Sequence, residues 1–482
     1  MIQYALIQRT LGLLISLFSF AFIPPALVSL WFQDGHVLPF VKSAAIYVGI
    51  GLILWWPFRA RSGELRHRDG FIVVALYWVV LSLLSALPFV FGPHVALVDA
   101  VFEAVSGFTT TGATVLVGLD QMAPSFLFYR AETQWLGGMG VIVLAVALLP
   151  LLKVGGMQMY RAETPGPMKD ERLTPRIAQT ARILWIIYLF ATIVCGICYW
   201  LAGMTPFDAM LHSFATLSTG GMSSHDASFA YFKSWPMEAI ACVFMIFGAI
   251  NFAVHFLAWH GRSLRFYWEN AEVRYFLQLV LVASSVIAVI IFTHGNQPDF
   301  TLAIRDALFQ TVSFVTSTGF VSADYTVWQG AAVVGLFFIA CVGGCGGSTA
   351  GGMKVIRIVL LFKQLGREVN QLIHPSSYPL VKLSGKVVPE RTEMAVWGFF
   401  TAYMITAATL MFLLMLDGRD QTTAFSIVVT CLNNTGPGLG EVGANFALLS
   451  PTSKIIAIIA MLLGRLEIFT FFLLITHGSW RH

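Results

Sequence analysis

Long hydrophobic segments separated by short polar ones run along the whole chain. Stretches such as 9–32 and 71–91 contain about 20 residues with almost no charge, the length that an α-helix needs to cross a hydrocarbon core of about 30 Å. The pattern therefore predicts an all-α polytopic membrane protein. Ten spans are expected, at 9–32, 40–57, 71–91, 132–152, 181–202, 235–259, 275–293, 331–365 with a break in its middle, 394–416 and 454–477.

A polar sequence with one layout interrupts this pattern four times. The copies are DAVFEAVSGFTTTGA (99–113), DAMLHSFATLSTGG (208–221), DALFQTVSFVTSTGF (306–320) and TAFSIVVTCLNNTGP (423–437). Each starts with Asp or Thr, continues through a short apolar stretch and ends in Thr-Gly, with 13, 12, 13 and 13 residues from the first residue to the glycine. Such a recurrence is an internal repeat, so we expect four equivalent structural units.

The apolar part of each copy has about ten residues, too few to cross the bilayer. We expect it to enter the membrane from outside as a short helix, with the initial Asp or Thr as its N-cap and its negative C-terminal end toward the membrane centre. The non-helical residues that follow must line a water-filled path, because unpaired backbone groups are too costly in lipid. Carbonyl and hydroxyl oxygens there would bind a dehydrated cation. The predicted ligands are Thr111, Gly112, Thr219, Gly220, Thr318, Gly319, Thr435 and Gly436.

These helix, pore-loop, helix units resemble the Trk/Ktr/HKT family of potassium transporters, and the two extra N-terminal spans resemble its TrkH-type subunit. The motifs that carry the resemblance are TTTGA, TLSTGG, VTSTGF and NNTGPG. The resemblance implies a pseudo-fourfold pathway for K⁺, a homodimer and regulation by a cytosolic nucleotide-binding ring of the TrkA type. The longer potassium-channel signature TVGYG does not occur, so each repeat offers fewer ion sites. The expected units are 1–58 (two extra helices), 59–160, 161–262, 263–370 and 371–482 (four pore repeats).

A glycine-rich stretch, GGCGGSTAGG at 343–352, interrupts the eighth span. Because a helix loses about 1 kcal/mol for each glycine relative to alanine, we expect a loop near the midplane. We expect it to gate the path, as the intramembrane loop of the resembling family does; close packing of small residues is the alternative. The predicted gate glycines are Gly343, Gly344, Gly346, Gly347, Gly351 and Gly352.

Arg465 lies within the last predicted span. An arginine near the middle of a transmembrane helix raises the free energy of membrane insertion by about 2.5–3.5 kcal/mol, so Arg465 is a candidate functional residue. In a cation path its charge would slow permeation, and the resembling family carries an arginine in this helix near the pore. The alternative is a structural arginine that binds an acid or backbone carbonyls of another helix.

Composition and charge agree with a membrane transporter and fix its orientation. The chain is 57% hydrophobic and 11% charged, against about 45–50% and about 25% in soluble domains. With both termini cytoplasmic, 22 of the 29 basic residues fall on the inner side, which is the normal bias. The resemblance implies that the membrane is a bacterial inner membrane. Acids such as Asp99, Glu103 and Asp208 fall outside, where they would attract cations unless they are simply loop polarity.

Three classes of function remain to be compared with potassium uptake. No HExxH or GxSxG motif occurs, so an enzyme is not expected. A sodium-conducting or non-selective member of the same architecture stays open, as does an ion-coupled secondary transporter. The longest inner segments are too small to fold as nucleotide-sensing domains, which leaves sensing to a separate subunit. Lipid surrounds the protein, and no nucleic-acid partner is indicated.

Overall fold

The computed structural model describes residues 3–61, 67–140, 177–294, 297–376, 379–383 and 386–468. The first span runs from Tyr4 to Phe32 with a 3-10 turn in its middle, and it packs against the second, Val37–Trp55. Gly12 and Gly51 make this approach possible, because a Cβ on Gly12 would lie 2.6 Å from the carbonyl oxygen of Gly51.

Long apolar helices form the outer wall of the predicted repeats. They are His67–Leu84 followed by Leu87–Phe91, Ile177–Leu201, Ala271–Thr293 and Glu390–Leu416. Together with the N-terminal pair, six helices of the described part are long and apolar enough to cross a membrane. A two-residue antiparallel ladder, Lys382–Leu383 with Lys386–Val387, is a small addition to the predicted all-α fold.

Four short helices lie between the long ones, where the repeated sequence predicted them. Short helices 1 to 4 are Leu97–Phe108, Pro206–Leu217, Phe300–Val315 and Gln421–Leu432. The predicted N-caps were wrong, since these helices begin earlier. Thr205, Asp299 and Asp420 accept the capping hydrogen bonds of helices 2 to 4, and the first has Ala96 at that place. Capping needs a residue just before the first helical turn, whereas Asp99 and Asp208 lie inside it.

A second set of helices follows the polar turns. Inner helices 1 to 4 are Pro124–Gly138, Trp235–Ala249, Gly330–Val342 and Pro451–Arg465. The break after Val342 confirms the predicted interruption of the eighth span, because the next helix starts only at Val355.

The predicted uninterrupted spans 235–259 and 454–477 were wrong. Inner helix 2 is followed by Phe252–His260 at an angle of 96°. Ile250 is extended there, and the Asn251 side chain accepts a hydrogen bond from Ala253 N and starts a new helix. After inner helix 4, Glu467 and Ile468 have positive φ, which ends the helix. Most of the predicted span 132–152 and the end of 454–477 lie outside the described residues.

The short and inner helices pack in a closed cycle. Short helix 1 packs against inner helix 4, short helix 2 against inner helix 1, short helix 3 against inner helix 2, and short helix 4 against inner helix 3. Each short helix therefore lies between its own inner helix and that of the preceding repeat. The four C-terminal ends of the short helices, and the turns that follow them, are brought together at the centre.

Candidate functional site

The four turns after the short helices share one backbone conformation. We define turns 1 to 4 as residues 109–113, 218–222, 316–320 and 433–437. In each, a non-glycine residue has a left-handed φ near +50° and a glycine two residues later has a φ of +72° to +95°. A backbone N–H between them reaches back five residues to a helix carbonyl, as in Thr111 N to Ser106 O at 2.9 Å. These are Schellman-type helix ends.

This shared geometry corrects the register of the second repeat. The hydrogen bond equivalent to that of Thr111 is made by Gly220 N to Ala215 O at 2.9 Å, and the left-handed residues are Thr219 and Gly221. Thr219 therefore corresponds to Thr110, and Gly220 to Thr111. The predicted pair Thr219–Gly220 is one residue too early, because its sequence spacing of 12 was counted to the first of two consecutive glycines.

The turns touch one another in a ring. A Cβ on the left-handed glycine of each turn would lie within 1.8–2.6 Å of a carbonyl oxygen of the next turn. The glycine and oxygen pairs are Gly112 with Gly220, Gly221 with Thr318, Gly319 with Thr435, and Gly436 with Thr111. Glycine is required at each of these positions for two reasons. Its φ is positive, and a neighbouring backbone approaches too closely for a Cβ atom. The last pair closes the cycle, so the four turns surround one axis.

The glycine-rich loop, residues 343–354, lies against this ring. Thr349 Oγ1 is 3.2 Å from Thr219 Oγ1, and Gly351 N donates to Ser317 Oγ at 2.5 Å. A Cβ on Gly351 would lie 2.1 Å from the carbonyl oxygen of Asn433. The loop thus contacts turns 2, 3 and 4.

The other side of the loop is held by the break in inner helix 2. Cys345 N donates to Ala249 O at 2.9 Å, and Phe252 N donates to Gly347 O at 3.1 Å. The two interruptions therefore satisfy each other's backbone groups, which a membrane interior requires.

Arg465, the last residue of inner helix 4, lies next to turn 1 and the loop. Its guanidinium donates to Gly137 O and, at 3.2 Å, to Gly138 O of inner helix 1. It also lies 3.4 Å from Thr349 O and 3.5 Å from Thr110 Oγ1. Arg465 thus makes the contacts with backbone carbonyls of another helix that the structural alternative predicted. The same contacts put the charge beside the ring and the loop.

Comparison with known proteins decides what this ring belongs to. A family model described as TrkH, cation transport protein, matches residues 38–479. The chain belongs to the TrkH family. Among TrkH proteins, the chain is 46% identical to "Trk system potassium uptake protein TrkH" of Salmonella typhimurium over 99% of this chain and 100% of the relative. It is 48% identical to the protein of that name from Halomonas elongata, over 99% of both chains. The crystal structure of "the Potassium Transporter TrkH from Vibrio parahaemolyticus" is similar with a TM-score of 0.91 and 44% identity over 100% of both chains.

Membership of the TrkH family confirms the resemblance and the helical membrane fold that the sequence predicted. The relatives are named as transport proteins, in agreement with the prediction that the chain is no enzyme.

Acids that were predicted outside, such as Asp99 and Glu103, form ion pairs with basic residues. Each of the four pairs removes one negative charge from the field that would attract cations. These ion pairs are Arg130–Glu103 at 2.7 Å, Arg305–Glu238 at 2.6 Å, Arg419–Glu441 at 2.5 Å and Lys454–Asp99 at 2.6 Å. Sequence distance hid these pairs, which join residues 22 to 355 positions apart.

Two further polar residues near the turns and the loop, His212 and Lys354, are buried. His212 is fully buried, with Nδ1 2.9 Å from Asp208 O and Nε2 3.0 Å from Ser223 Oγ. Lys354 is 4% exposed and donates to Ala350 O within the glycine-rich loop, so it anchors the loop and does not extend to the membrane surface. Among the described residues no cluster of His, Cys, Asp and Glu has the arrangement of a metal site.

Sequence reasoning missed two side chains that hold the site. The side-chain amide of Gln134, on inner helix 1, makes hydrogen bonds with Gly220 O and Met222 N of turn 2. Glu272, at the start of a long helix, accepts a hydrogen bond from Gly346 N at 2.7 Å. Gln134 lies within the predicted span 132–152, and a polar residue in a membrane helix is the available signal because it needs a partner. Glu272 lies before the predicted span 275–293, among other polar residues, and gave no such signal.

Proposed function

We propose that this protein takes up K⁺ through a filter formed by the ring of four turns. The closed cycle of glycine and carbonyl contacts carries the proposal, because a ring of backbone oxygens can replace the hydration shell of a monovalent cation. The ends of the four short helices meet there and add partial negative charge. Relatives that match over the whole chain are named potassium uptake proteins, which supports K⁺ as the permeant ion.

The filter consists of the predicted residues with the second repeat shifted by one. Its members are Thr111, Gly112, Gly220, Gly221, Thr318, Gly319, Thr435 and Gly436, with Thr219 among the left-handed residues one position before. The threonine side chains and the carbonyls provide oxygen ligands, and the glycines let neighbouring turns approach closely.

In the same proposal, the loop 343–354 and Arg465 are the gate. The loop contacts three of the four turns, and Arg465 contacts turn 1 and Thr349 of the loop. A fixed positive charge at this place raises the barrier for a cation, and withdrawal of the loop would open the path.

The proposal extends to the wider assembly. We propose a bacterial inner-membrane protein with both termini in the cytoplasm and with pore repeats at 59–160, 161–262, 263–370 and 371–482. A homodimer and a cytosolic nucleotide-binding ring of the TrkA type are the proposed partners. The relatives' printed name, which places them in a Trk system, supports partnership with further Trk components.

Complementation of a K⁺-uptake-deficient bacterium at low external K⁺ tests the proposal. The parent protein should restore growth. Gly319→Ser should not, because Gly319 has φ +82° and a Cβ there would lie 2.0 Å from Thr435 O. Gly118→Ser is the matched control, since Gly118 has φ +77° but nothing within 4 Å of a Cβ. Equal growth of the Gly319 and Gly118 variants would contradict a filter at the ring.

Cation flux into liposomes separates the remaining alternatives. Current through the purified protein with K⁺ alone on both sides indicates a channel-like path, whereas a secondary transporter would need a coupling ion or alternating access. Replacement of K⁺ by Na⁺ in the same assay distinguishes potassium uptake from sodium or non-selective permeation.

A further inference from the structure

Turn 2 is the only one of the four described turns in which a glycine stands where the others have threonine. Gly220 corresponds to Thr111, Thr318 and Thr435. Unlike Gly221, Gly220 does not have a positive φ, so its backbone conformation would accept a side chain. Something other than backbone geometry must therefore require glycine at this position.

The side chain of Gln134 provides that reason. A Cβ on Gly220 would lie 2.5 Å from Gln134 Cδ and 2.7 Å from both its amide nitrogen and its amide oxygen, and no other group lies among its nearest atoms. Gln134 is fully buried and comes from inner helix 1, in a different repeat. Its amide occupies the space that a threonine side chain would take in turn 2.

The amide of Gln134 also makes two hydrogen bonds to the backbone of turn 2. Its Nε2 donates to Gly220 O at 2.5 Å, and its Oε1 accepts from Met222 N at 3.0 Å. Gly220 O is one of the four carbonyls in the ring of turns. One side chain thus fixes both the position of a ring carbonyl and the course of the chain two residues later.

A second residue on the same face of inner helix 1 continues this contact. Arg130 lies one helical turn before Gln134, and its Nη1 donates to Ser223 O at 3.0 Å. Inner helix 3 contains no glutamine or asparagine, and inner helices 2 and 4 carry methionine at the position of Gln134. This follows from Gly137, Gly248 and Gly464, whose Cβ positions all lie against the last helical carbonyl of a short helix; three residues before them stand Gln134, Met245 and Met461. The amide contact is therefore specific to the first two repeats.

We infer that Gln134 is a positioning residue that sets the K⁺ over Na⁺ discrimination of the ring by holding the Gly220 carbonyl in place of a missing threonine side chain. The inference rests on the proposed filter. A ring oxygen that is held by a hydrogen bond cannot move inward to bind the smaller Na⁺, whereas a free one can. Turn 2 is thereby fixed by a side chain of another repeat, whereas turns 1, 3 and 4 have a threonine at the corresponding position.

The test measures the K⁺/Na⁺ permeability ratio of the full-length protein from reversal potentials in planar bilayers with K⁺ and Na⁺ on opposite sides. Gln134→Met, which introduces the residue of inner helices 2 and 4, should lower the ratio about 3- to 10-fold while K⁺ current persists, as expected for the loss of a hydrogen bond or two. Met245→Leu is the matched control and should keep the parent ratio.

Gly220→Ala gives an independent arm that leaves Gln134 in the chain. The added methyl group must displace the Gln134 amide, so this variant should lower the ratio as Gln134→Met does. Because both changes break the same two hydrogen bonds, the double variant should be no less selective than either single one. This arm also carries the test if Gln134→Met does not fold.

A parent-like ratio in Gln134→Met or in Gly220→Ala, or a double variant whose loss equals the product of the single losses, would overturn the inference. Each of these results would leave the proposed filter intact as long as the parent conducts K⁺ selectively. A parent without K⁺ selectivity would overturn the filter and the inference together.

Discussion

The buried ion pair between Glu103 and Arg130 should be among the most sensitive points of the molecule. Their side chains are 0% and 2% exposed, and Arg130 Nε lies 2.7 Å from Glu103 Oε1. Glu103 also accepts hydrogen bonds from Thr114 Oγ1 and from Val115 N at 3.1 Å, just after turn 1. The pair therefore joins short helix 1, inner helix 1 and the chain that leaves the ring.

The expected effect follows from the cost of an isolated buried charge. Glu103→Leu leaves the Arg130 guanidinium buried without its carboxylate, which costs about 3–5 kcal/mol of unfolding free energy. Glu103→Leu with Arg130→Met removes both charges, so the remaining loss is about 1–3 kcal/mol, mainly from the Val115 N–H and the Ser223 carbonyl that lose their partners. The double variant should thus be more stable than Glu103→Leu alone.

Unfolding of the purified protein in mixed detergent and SDS measures these differences. The control is Glu269→Gln, because the Arg265–Glu269 pair is exposed, with 81% and 53% of the two side chains accessible, and should be worth less than about 0.5 kcal/mol. A loss below about 1 kcal/mol in Glu103→Leu, or a double variant that is less stable than Glu103→Leu, would refute the reasoning.

Two further predictions concern the gate and use K⁺ flux into proteoliposomes. Arg465→Ala should raise the flux several-fold, because it removes a positive charge 3.5 Å from Thr110 Oγ1 of turn 1. Arg367→Ala, which breaks the 2.6 Å pair with Glu393, is the control that should not raise the flux, and a loss of folded protein in Arg465→Ala alone would favour the structural role. Deletion of several glycines from 343–352 should raise basal flux by loosening the loop from turns 2 to 4, and an unchanged flux in a folded variant would contradict the gate.

The sequence predicted the repeated units well because their signals are local. The alternation of apolar segments with Thr-Gly turns located all four short helices, and six glycines in ten residues located the break after Val342. The break at Asn251 was missed because a single asparagine after an apolar helix is a weak signal. The shift in turn 2 was missed because both Gly220 and Gly221 fit the motif, and only the hydrogen bond to Ala215 O distinguishes them.

Contacts between repeats were beyond sequence reasoning for a different reason. Gln134 touches a turn 86 residues away in sequence, and Asp99 binds Lys454 from the opposite end of the chain. Neither contact leaves a periodic pattern, since each is made by one side chain in one repeat. The repeated motifs therefore predict the fourfold backbone, whereas the side-chain contacts that stabilise it differ from repeat to repeat.

The hydrogen bonds of the glycine-rich loop give an estimate of the free energy that is needed to withdraw it. Its withdrawal breaks the hydrogen bonds from Cys345 N and Thr349 N to inner helix 2, from Phe252 N to Gly347 O, from Gly351 N to Ser317 Oγ, and from Thr349 Oγ1 to Gly248 O. At about 1 kcal/mol net for each bond, these five bonds hold the loop by about 5 kcal/mol, and the contacts of Gly346 N with Glu272 and of Arg465 with Thr349 O add to this. The withdrawn state therefore has a population of at most on the order of 10⁻⁴. To raise the withdrawn population to one half, a ligand must bind the withdrawn state more tightly than the closed state by at least about 5 kcal/mol. In the proposed function, a regulatory subunit that binds the withdrawn state more tightly than the closed state would supply this free energy.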